Sequence, residues 1–273
     1  MPLIFFQSHP SISILVSRYG ALMAVAFAAG ALNAVAGGGS FFSFPTLIGV
    51  GLPPVNANAT NTVALWPGQL TSMVALRREV HAIRRMLPSA IACAAVGGFA
   101  GARTLLFTKQ ATFLRLVPWL LLFATVLFAL SGPARKWLER RRPSTLPGTA
   151  PGHPASSPAL LFWMTVVCFY IGYFGAGAGI LLFALFSVFG FTDFHESNAL
   201  KILCNAVANG VAVVTFILAH AVYWKECLVM LFLAAAGGYF GAAYSRKLNP
   251  KLLRSVVIVT GLTVSAYFFW KTL

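Results

Sequence analysis

The chain reads as ten runs of apolar residues separated by short polar or glycine-rich breaks. The runs lie at 14–36, 41–52, 57–76, 86–107 and 113–130, and then, after one long polar gap, at 159–174, 180–191, 198–218, 227–244 and 252–270. About 20 apolar residues cross a bilayer as a helix, so the chain has room for eight to ten spans. The runs at 41–52 and 180–191 are exceptions. At 1.5 Å per residue a 12-residue helix covers only about 18 Å of a hydrocarbon core about 30 Å thick. The pattern therefore predicts an all-α polytopic integral membrane protein, with two of its segments too short to span and nothing outside the membrane large enough to be a separate domain.

Composition supports this. Of 273 residues, 59% are hydrophobic and 9% charged, and the mean hydropathy is +0.82. Soluble domains carry about 25% charged residues, which excludes a water-soluble globule, and so apolar a chain is not disordered. The formal net charge is +15, from 20 Lys and Arg against 5 Asp and Glu. A nucleic-acid partner is not expected, because no aromatic-studded basic domain accompanies the charge. The basic residues gather instead in three clusters: Arg77, Arg78, Arg84 and Arg85; then Arg135, Lys136, Arg140, Arg141 and Arg142; then Arg246, Lys247, Lys251 and Arg254. Cytoplasmic loops collect Lys and Arg, and all three clusters are read as cytoplasmic. The middle cluster lies in 131–158, which holds six prolines and reads as a basic cytoplasmic linker. It divides the chain into a first membrane repeat at 1–130 and a second at 159–273. The first twenty residues lack the charged start and small-residue cleavage site of a secretory signal, so the N-terminus is expected to be retained.

The two halves resemble each other. A shift of 140 carries Gly37, Gly39, Asn58 and Ala59 onto Gly177, Gly179, Asn198 and Ala199, and Gly97, Gly98, Gly101 and Ala102 onto Gly237, Gly238, Gly241 and Ala242. Between positions 37 and 102, 11 of 66 residues are identical under that shift. Five segments per copy make the second copy upside down relative to the first, the inverted plan of many secondary transporters. Inversion is favoured over the alternative, in which each glycine-interrupted pair is one broken span and the repeats are parallel.

The residues that could carry chemistry cluster at the interruptions. Gly37-Gly38-Gly39-Ser40 and Gly175-Ala176-Gly177-Ala178-Gly179 each precede a short run. Paired short segments at matching places in two halves point to a transporter's midplane site. Glycine lets backbone approach a ligand, and a helix restarting after it presents N–H groups to an anion. The plainer reading is that these glycines only let helices pack. Asn58 and Asn198 read as helix caps. One turn further in, Asn61 and Lys201 are equivalent under the shift, and Asn205 and Asn209 follow Lys201 on one face. An ionisable side chain inside an apolar span is a functional candidate, with snorkelling to the interface as its alternative. Arg18 and Arg103 read as snorkelling, and the Gly97/Gly101 and Gly237/Gly241 pairs as helix packing. The candidate substrate-binding set is Gly37, Gly38, Gly39, Ser40, Asn61, Gly175, Gly177, Gly179, Lys201 and Asn205. No catalytic residue, metal site or cofactor is expected. The cysteines Cys93, Cys168, Cys204 and Cys227 fall in separate runs without CxxC spacing and read as inert packing. The five acids, Glu79, Glu139, Asp193, Glu196 and Glu226, fall in loops or at segment ends, so no buried carboxylate relay is expected.

The Ala36–Ser40 motif, Phe44-Pro45, the Asn-Ala-Thr-Asn run at 58–61, the second-half GAGAG and Asn198 together resemble the TauE/SafE family, the sulfite exporter or toluene-sulfonate uptake permeases. The similarity covers nearly the whole chain outside the linker. It implies a multi-pass permease of the bacterial inner membrane for a small sulfur-containing anion, sulfite or an organosulfonate, with the anion and the lipid bilayer as its partners. Export is the favoured direction, since an anion leaving an inside-negative cell gains about 2.3 kcal/mol per charge per 100 mV with no coupling ion. The competing classes are a non-transporting assembly or scaffold subunit, for which helix packing would suffice, and a membrane-embedded enzyme, for which the titratable groups are in the wrong places.

Overall fold

Proline and glycine set where the helices begin. Proline lacks an N–H and has its φ preset, which suits the first helical turn. The computed structural model describes residues 12–35, 38–75, 83–84, 86–140, 157–191, 194–244 and 250–272. Among them ten helices are found and no strand: α1 Ile12–Val35, α2 Ser40–Val50, α3 Pro54–Ala75, α4 Leu87–Phe107, α5 Gln110–Arg140, α6 Pro158–Tyr173, α7 Ala178–Val188, α8 Phe194–Leu218, α9 Trp224–Tyr244 and α10 Pro250–Thr272. Pro54, Pro158 and Pro250 open their helices and Pro88 sits in the first turn of α4. The chain is an all-α polytopic membrane protein. Its segments Leu87–Phe107, Gln110–Leu130, Glu196–Leu218 and Ser255–Thr272 are long and apolar enough to cross a bilayer, and large apolar side chains such as Phe99, Trp163, Phe232 and Trp270 are exposed, as lipid-facing residues are.

The two short runs become α2 and α7, each of 11 residues. Both end on a left-handed glycine. Gly51 (φ 110°) closes α2 with Leu52 N–H donating to Leu47 O at 3.1 Å, and Gly190 (φ 85°) closes α7 with Phe191 N–H donating to Phe186 O at 3.0 Å. A six-to-one bond of this kind satisfies carbonyls that a helix end leaves open. The helices start at Ser40 and Ala178, 138 positions apart. Around the breaks the halves therefore align two residues off the 140 shift.

The packing obeys an exchange of halves. α1 lies along α9 as α6 lies along α4; α2 packs on α1, α3 and α10 as α7 packs on α6, α8 and α5; α3 meets its own counterpart α8, and α5 meets α10. Two hydrogen bonds join equivalent positions directly: Trp66 Nε1–H to Ala206 O (3.0 Å) and Asn209 Nδ2–H to Gln69 Oε1 (3.1 Å), each spanning 140 residues. Towards the start of α3, Asn56 Nδ2 donates to Ala221 O (2.9 Å) and Thr60 Oγ1 accepts from Tyr223 N–H (3.0 Å), both just beyond the end of α8. The start of α3 thus lies at the end of α8, and the two run antiparallel.

Small residues hold the paired helices together. A methyl group at Gly101 would collide with the Phe169 carbonyl, one at Gly237 with the Phe27 carbonyl, and one at Gly97 would come within 2.5 Å of the Thr165 carbonyl. Backbones this close gain dispersion that larger residues would forfeit.

Four expectations need correction. Asn58 does not cap α3, because Pro54 starts the helix earlier; four residues in, its Nδ2 donates to Tyr173 O at 3.1 Å. Asn198 likewise stands four residues inside α8. Glu226, at the start of α9, is buried and accepts a hydrogen bond from Tyr19 Oη at 2.8 Å, because α1 packs along α9 and brings Tyr19 over it. The cysteines pack as read: Cys93, Cys168 and Cys204, from separate runs, lie in one apolar cluster of α4, α6, α7 and α8, where Cys204 Sγ is 3.7 Å from Met164 Sδ. The segment read as linker from 131 begins inside α5, which continues to Arg140; residues 141–156 lie outside the described residues, as do most of the basic clusters. Arg103 is exposed, its guanidinium 4.8 Å from the centre of the Phe107 ring, whereas the side chain of Arg18 lies outside the described set.

Replacing Gly101 with Leu should destabilise the protein by about 1–3 kcal/mol, the usual cost of overpacking. In detergent this reads as a lowered thermal midpoint, while Gly20→Ala, with nothing within 4 Å of the added methyl, should leave it unmoved. Equal midpoints for the two variants would contradict the close α4/α6 contact.

Candidate functional site

A helix that stops inside a membrane leaves backbone groups that lipid cannot satisfy, so the protein around each break has to supply partners. At the first break Gly38 turns left-handed (φ 89°), and a Cβ there would stand 2.9 Å from Val257 Cγ1 of α10. Gly39 N–H donates to Asn33 Oδ1 at 2.7 Å. The amides of Phe41 and Phe42 donate to the carbonyls of Gly38 and Gly39, both at 3.0 Å. One turn into α2, the fully buried Ser43 Oγ donates to Asn61 Oδ1 at 2.6 Å and lies 3.1 Å from Gly39 O. Of the sequence candidates, Gly38, Gly39 and Asn61 are drawn together here. Ser40 is half-buried at the first residue of α2, and Gly37 lies outside the described residues.

At the second break Gly175 (φ 77°) and Gly177 (φ 71°) are both left-handed, a conformation disfavoured for residues with a Cβ. The turn is tied to α6: Phe174 and Gly175 N–H both donate to Tyr170 O (2.9 and 3.0 Å), and Tyr170 Oη donates to Ala176 O (2.7 Å). Ala178 and Ile180 N–H donate to the carbonyls of Gly175 and Gly177 (3.3 and 3.0 Å). Lys201 lies across the start of α7. Its Cδ is 3.6 Å from where a Cβ on Gly179 would be, and its Nζ is 5.4 Å from the centre of the Phe183 ring. Asn61 and Lys201, equivalent under the shift, thus each reach the short helix of their own half.

A third polar group sits where α3 crosses α8. Asn209 Nδ2 is shared between Gln69 Oε1 (3.1 Å) and Asn205 O (3.0 Å), with Asn205 Oδ1 at 3.5 Å, and Asn209 Oδ1 lies 3.9 Å from the Cβ position of Gly175. The first half touches the second break through Phe44 of α2, whose ring stands edge-on to Phe174 at 5.5 Å, and through the Asn58–Tyr173 bond. A cleft of about 500 Å³ opens beside this crossing, lined by Trp66, Leu70, Phe99, Ala206, Val207 and Gly210 among others. Its lining is apolar, and none of the ten candidates belongs to it.

Asn33, Ser43 and Gln69 were not among the sequence candidates. Gln69 carries a readable signal, since the 140 shift places it on Asn209. Ser43 lies one turn beyond Ser40 and was legible only once α2 was placed against α3.

The family model described as Sulfite exporter TauE/SafE matches residues 22–268. Among curated proteins, the chain is 28% identical over 255 residues to the probable membrane transporter protein YfcA of Escherichia coli, covering 93% of this chain and 90% of that one. A probable membrane transporter protein of Haemophilus influenzae is 26% identical over 249 residues, covering 90% and 92%. A third, the probable membrane transporter protein ORF9 of Sinorhizobium sp, is 25% identical, covering 89% of each chain. No solved structure matches the chain significantly.

Ser43→Ala should leave buried polar groups at Gly39 and Asn61 with one partner fewer, at about 1–3 kcal/mol. Ser40→Ala should cost far less. Thermal midpoints of the two variants in one detergent decide this, and the reverse order would remove the Ser43–Asn61 bond from the first break.

Proposed function

The chain belongs to the TauE/SafE family of membrane transporters, and on that premise we propose that it carries a small sulfur-containing anion, of the sulfite or organosulfonate class, across the bacterial inner membrane, with export as the favoured direction. One observation carries the reading. Lys201, an ionisable side chain set within an apolar helix, lies against the glycine-broken start of α7. A charge in such a place is expensive and is kept where it meets a solute or an ion.

The inverted relation of the two halves is part of the proposal. It is supported by the antiparallel course of α3 and α8 and by the two bonds between positions 140 apart. In this plan repeat 1–130 and repeat 159–273 rock about the α3/α8 crossing, and the linker between them is cytoplasmic. Export follows from electrostatics: a single negative charge gains about 2.3 kcal/mol per 100 mV on leaving an inside-negative cell. Gly38, Gly39, Ser40, Asn61, Gly175, Gly177, Gly179, Lys201 and Asn205 are the proposed lining, together with Gly37.

Purified protein in liposomes should exchange labelled sulfite against internal sulfite, which a scaffold subunit would not do. Lys201→Met should abolish that counterflow with membrane abundance unchanged. Undiminished flux in the variant would take Lys201 out of the site.

A further inference from the structure

We infer that the second break alone seats the anion, and that this seat takes a singly charged oxyanion in preference to a doubly charged one. The inference rests on the reading of the chain as an anion transporter and names which of its two breaks does the binding and for what charge.

The breaks are related by the repeat but differ in chemistry. At the first, Asn33 Oδ1 already holds the Gly39 amide, and the buried Ser43 and Asn61 are bonded to each other. The side chains there are uncharged, and α2 and α3 carry no Lys, Arg, Asp or Glu. At the second, the amides of Gly177 and Gly179 have no acceptor among the described residues, but at the first those of Gly38 and Ser40 have none either, so the difference between the breaks is one of charge. The position that holds Asn61 in the first half holds Lys201 in the second. Asn205 and Asn209 follow it at successive turns of α8, with Gln69 reaching across from α3. Open amides and an ammonium are donors that oxyanion oxygens need, while Asn209 Nδ2 is taken by Gln69 and Asn205.

The charge follows from what surrounds Lys201. The helices packed against α8 are α3, α4, α6 and α7. In those four the only Lys, Arg, Asp or Glu is Arg103, which is exposed and faces Phe107. On α8 itself the other charged residue is Glu196, in the first turn, more than a helical turn before Lys201. α5 also borders the break, through Ala124 at Gly177, and its nearest charged residue, Arg115, is nine positions from that contact; among the described residues a bound anion therefore meets Lys201 as its one adjacent cation. The cost of taking an ion out of water rises with the square of its charge, whereas its attraction to a single ammonium rises only in proportion to it. A sulfonate or hydrogensulfite fits the seat, and a sulfate dianion does not.

The test uses wild-type protein in liposomes, with methanesulfonate as the monovalent probe and sulfate as the divalent one. Counterflow of methanesulfonate should exceed that of sulfate by about tenfold or more, and methanesulfonate, but not sulfate, should raise the thermal midpoint in detergent. Equal flux of the two, or stabilisation by sulfate, would overturn the charge assignment. Absence of counterflow for sulfite, methanesulfonate and sulfate alike would overturn the transporter reading itself, and the inference with it. The placement is tested by moving the ammonium: Asn61→Lys combined with Lys201→Asn should remain inactive at normal membrane abundance. Recovery of flux in that double variant would show the first break to be an equal seat. Asn205→Lys, adding a second cation beside the first, should narrow the methanesulfonate-to-sulfate ratio, and an unchanged or wider ratio would count against the seat.

Discussion

The structure depends on how backbone groups are satisfied where helices stop inside a membrane. An amide or carbonyl facing hydrocarbon without a partner costs several kcal/mol, so a broken helix is tolerated only where protein closes over the break. Here the closure comes from side chains on neighbouring helices. Asn33 takes the Gly39 amide, Asn58 donates to the Tyr173 carbonyl, and Tyr170 returns through its hydroxyl to the Ala176 carbonyl. Each partner is polar, sits in an apolar helix and points at a particular backbone atom. The polar residues that seem misplaced in α1, α3 and α6 are the conditions under which α2 and α7 can be short.

Such bonds require the helices to be held at fixed separations, and that is the work of the glycines. Where α4 lies on α6 and α1 on α9, a methyl at Gly101 or Gly237 would strike backbone carbonyl oxygen of the partner. Contacts of this kind are rigid because a carbonyl cannot move aside as a side chain can. The tight pairs α4/α6 and α1/α9 each join a helix of one half to a helix of the other. The break-bearing ends of α1 and α6 are therefore positioned by the opposite repeat. The breaks are thus bonded mostly within their own half and held in place by the other.

Much of this was legible in the order of residues. The ten apolar runs correspond to the ten helices among the described residues, with ends displaced by a few residues except in α5, which runs ten residues past its apolar stretch, and the shortness of α2 and α7 was visible as run length alone. Membrane insertion makes that possible, since hydropathy and helix length are nearly the same information there. The capping role assigned to Asn58 was not borne out, because a proline at the first helical position moved the start by a turn. The burial of Glu226, the meeting of Cys93, Cys168 and Cys204, and the Ser43–Asn61 bond depend on which helices become neighbours. An internal shift can hint at such pairs, as it does for Gln69 and Asn209, but only when both copies keep a polar residue at the position. Asn33 and Ser43 have no such matched counterpart and were silent in the sequence.

The divergence between the copies is the more informative half of the symmetry. Had Asn61 and Lys201 been the same residue, two equivalent breaks would offer two equivalent seats, and a solute would have no reason to prefer either. An uncharged carboxamide at one and an ammonium at the other make them differ in charge at equivalent places, and the proposed seat follows that difference. The Gln69–Asn209 bond lies on the α3/α8 crossing, about which the halves are proposed to rock. Asn209 also adjoins Gly175, and Asn61 of α3 bonds Ser43, so a movement of α3 against α8 changes the surroundings of both breaks. In an antiparallel pair one end of the crossing opens as the other closes. A seat offset towards one half, as proposed above, would then be exposed to the two sides of the membrane unequally, and on that reading a nearly symmetric frame favours one direction of movement.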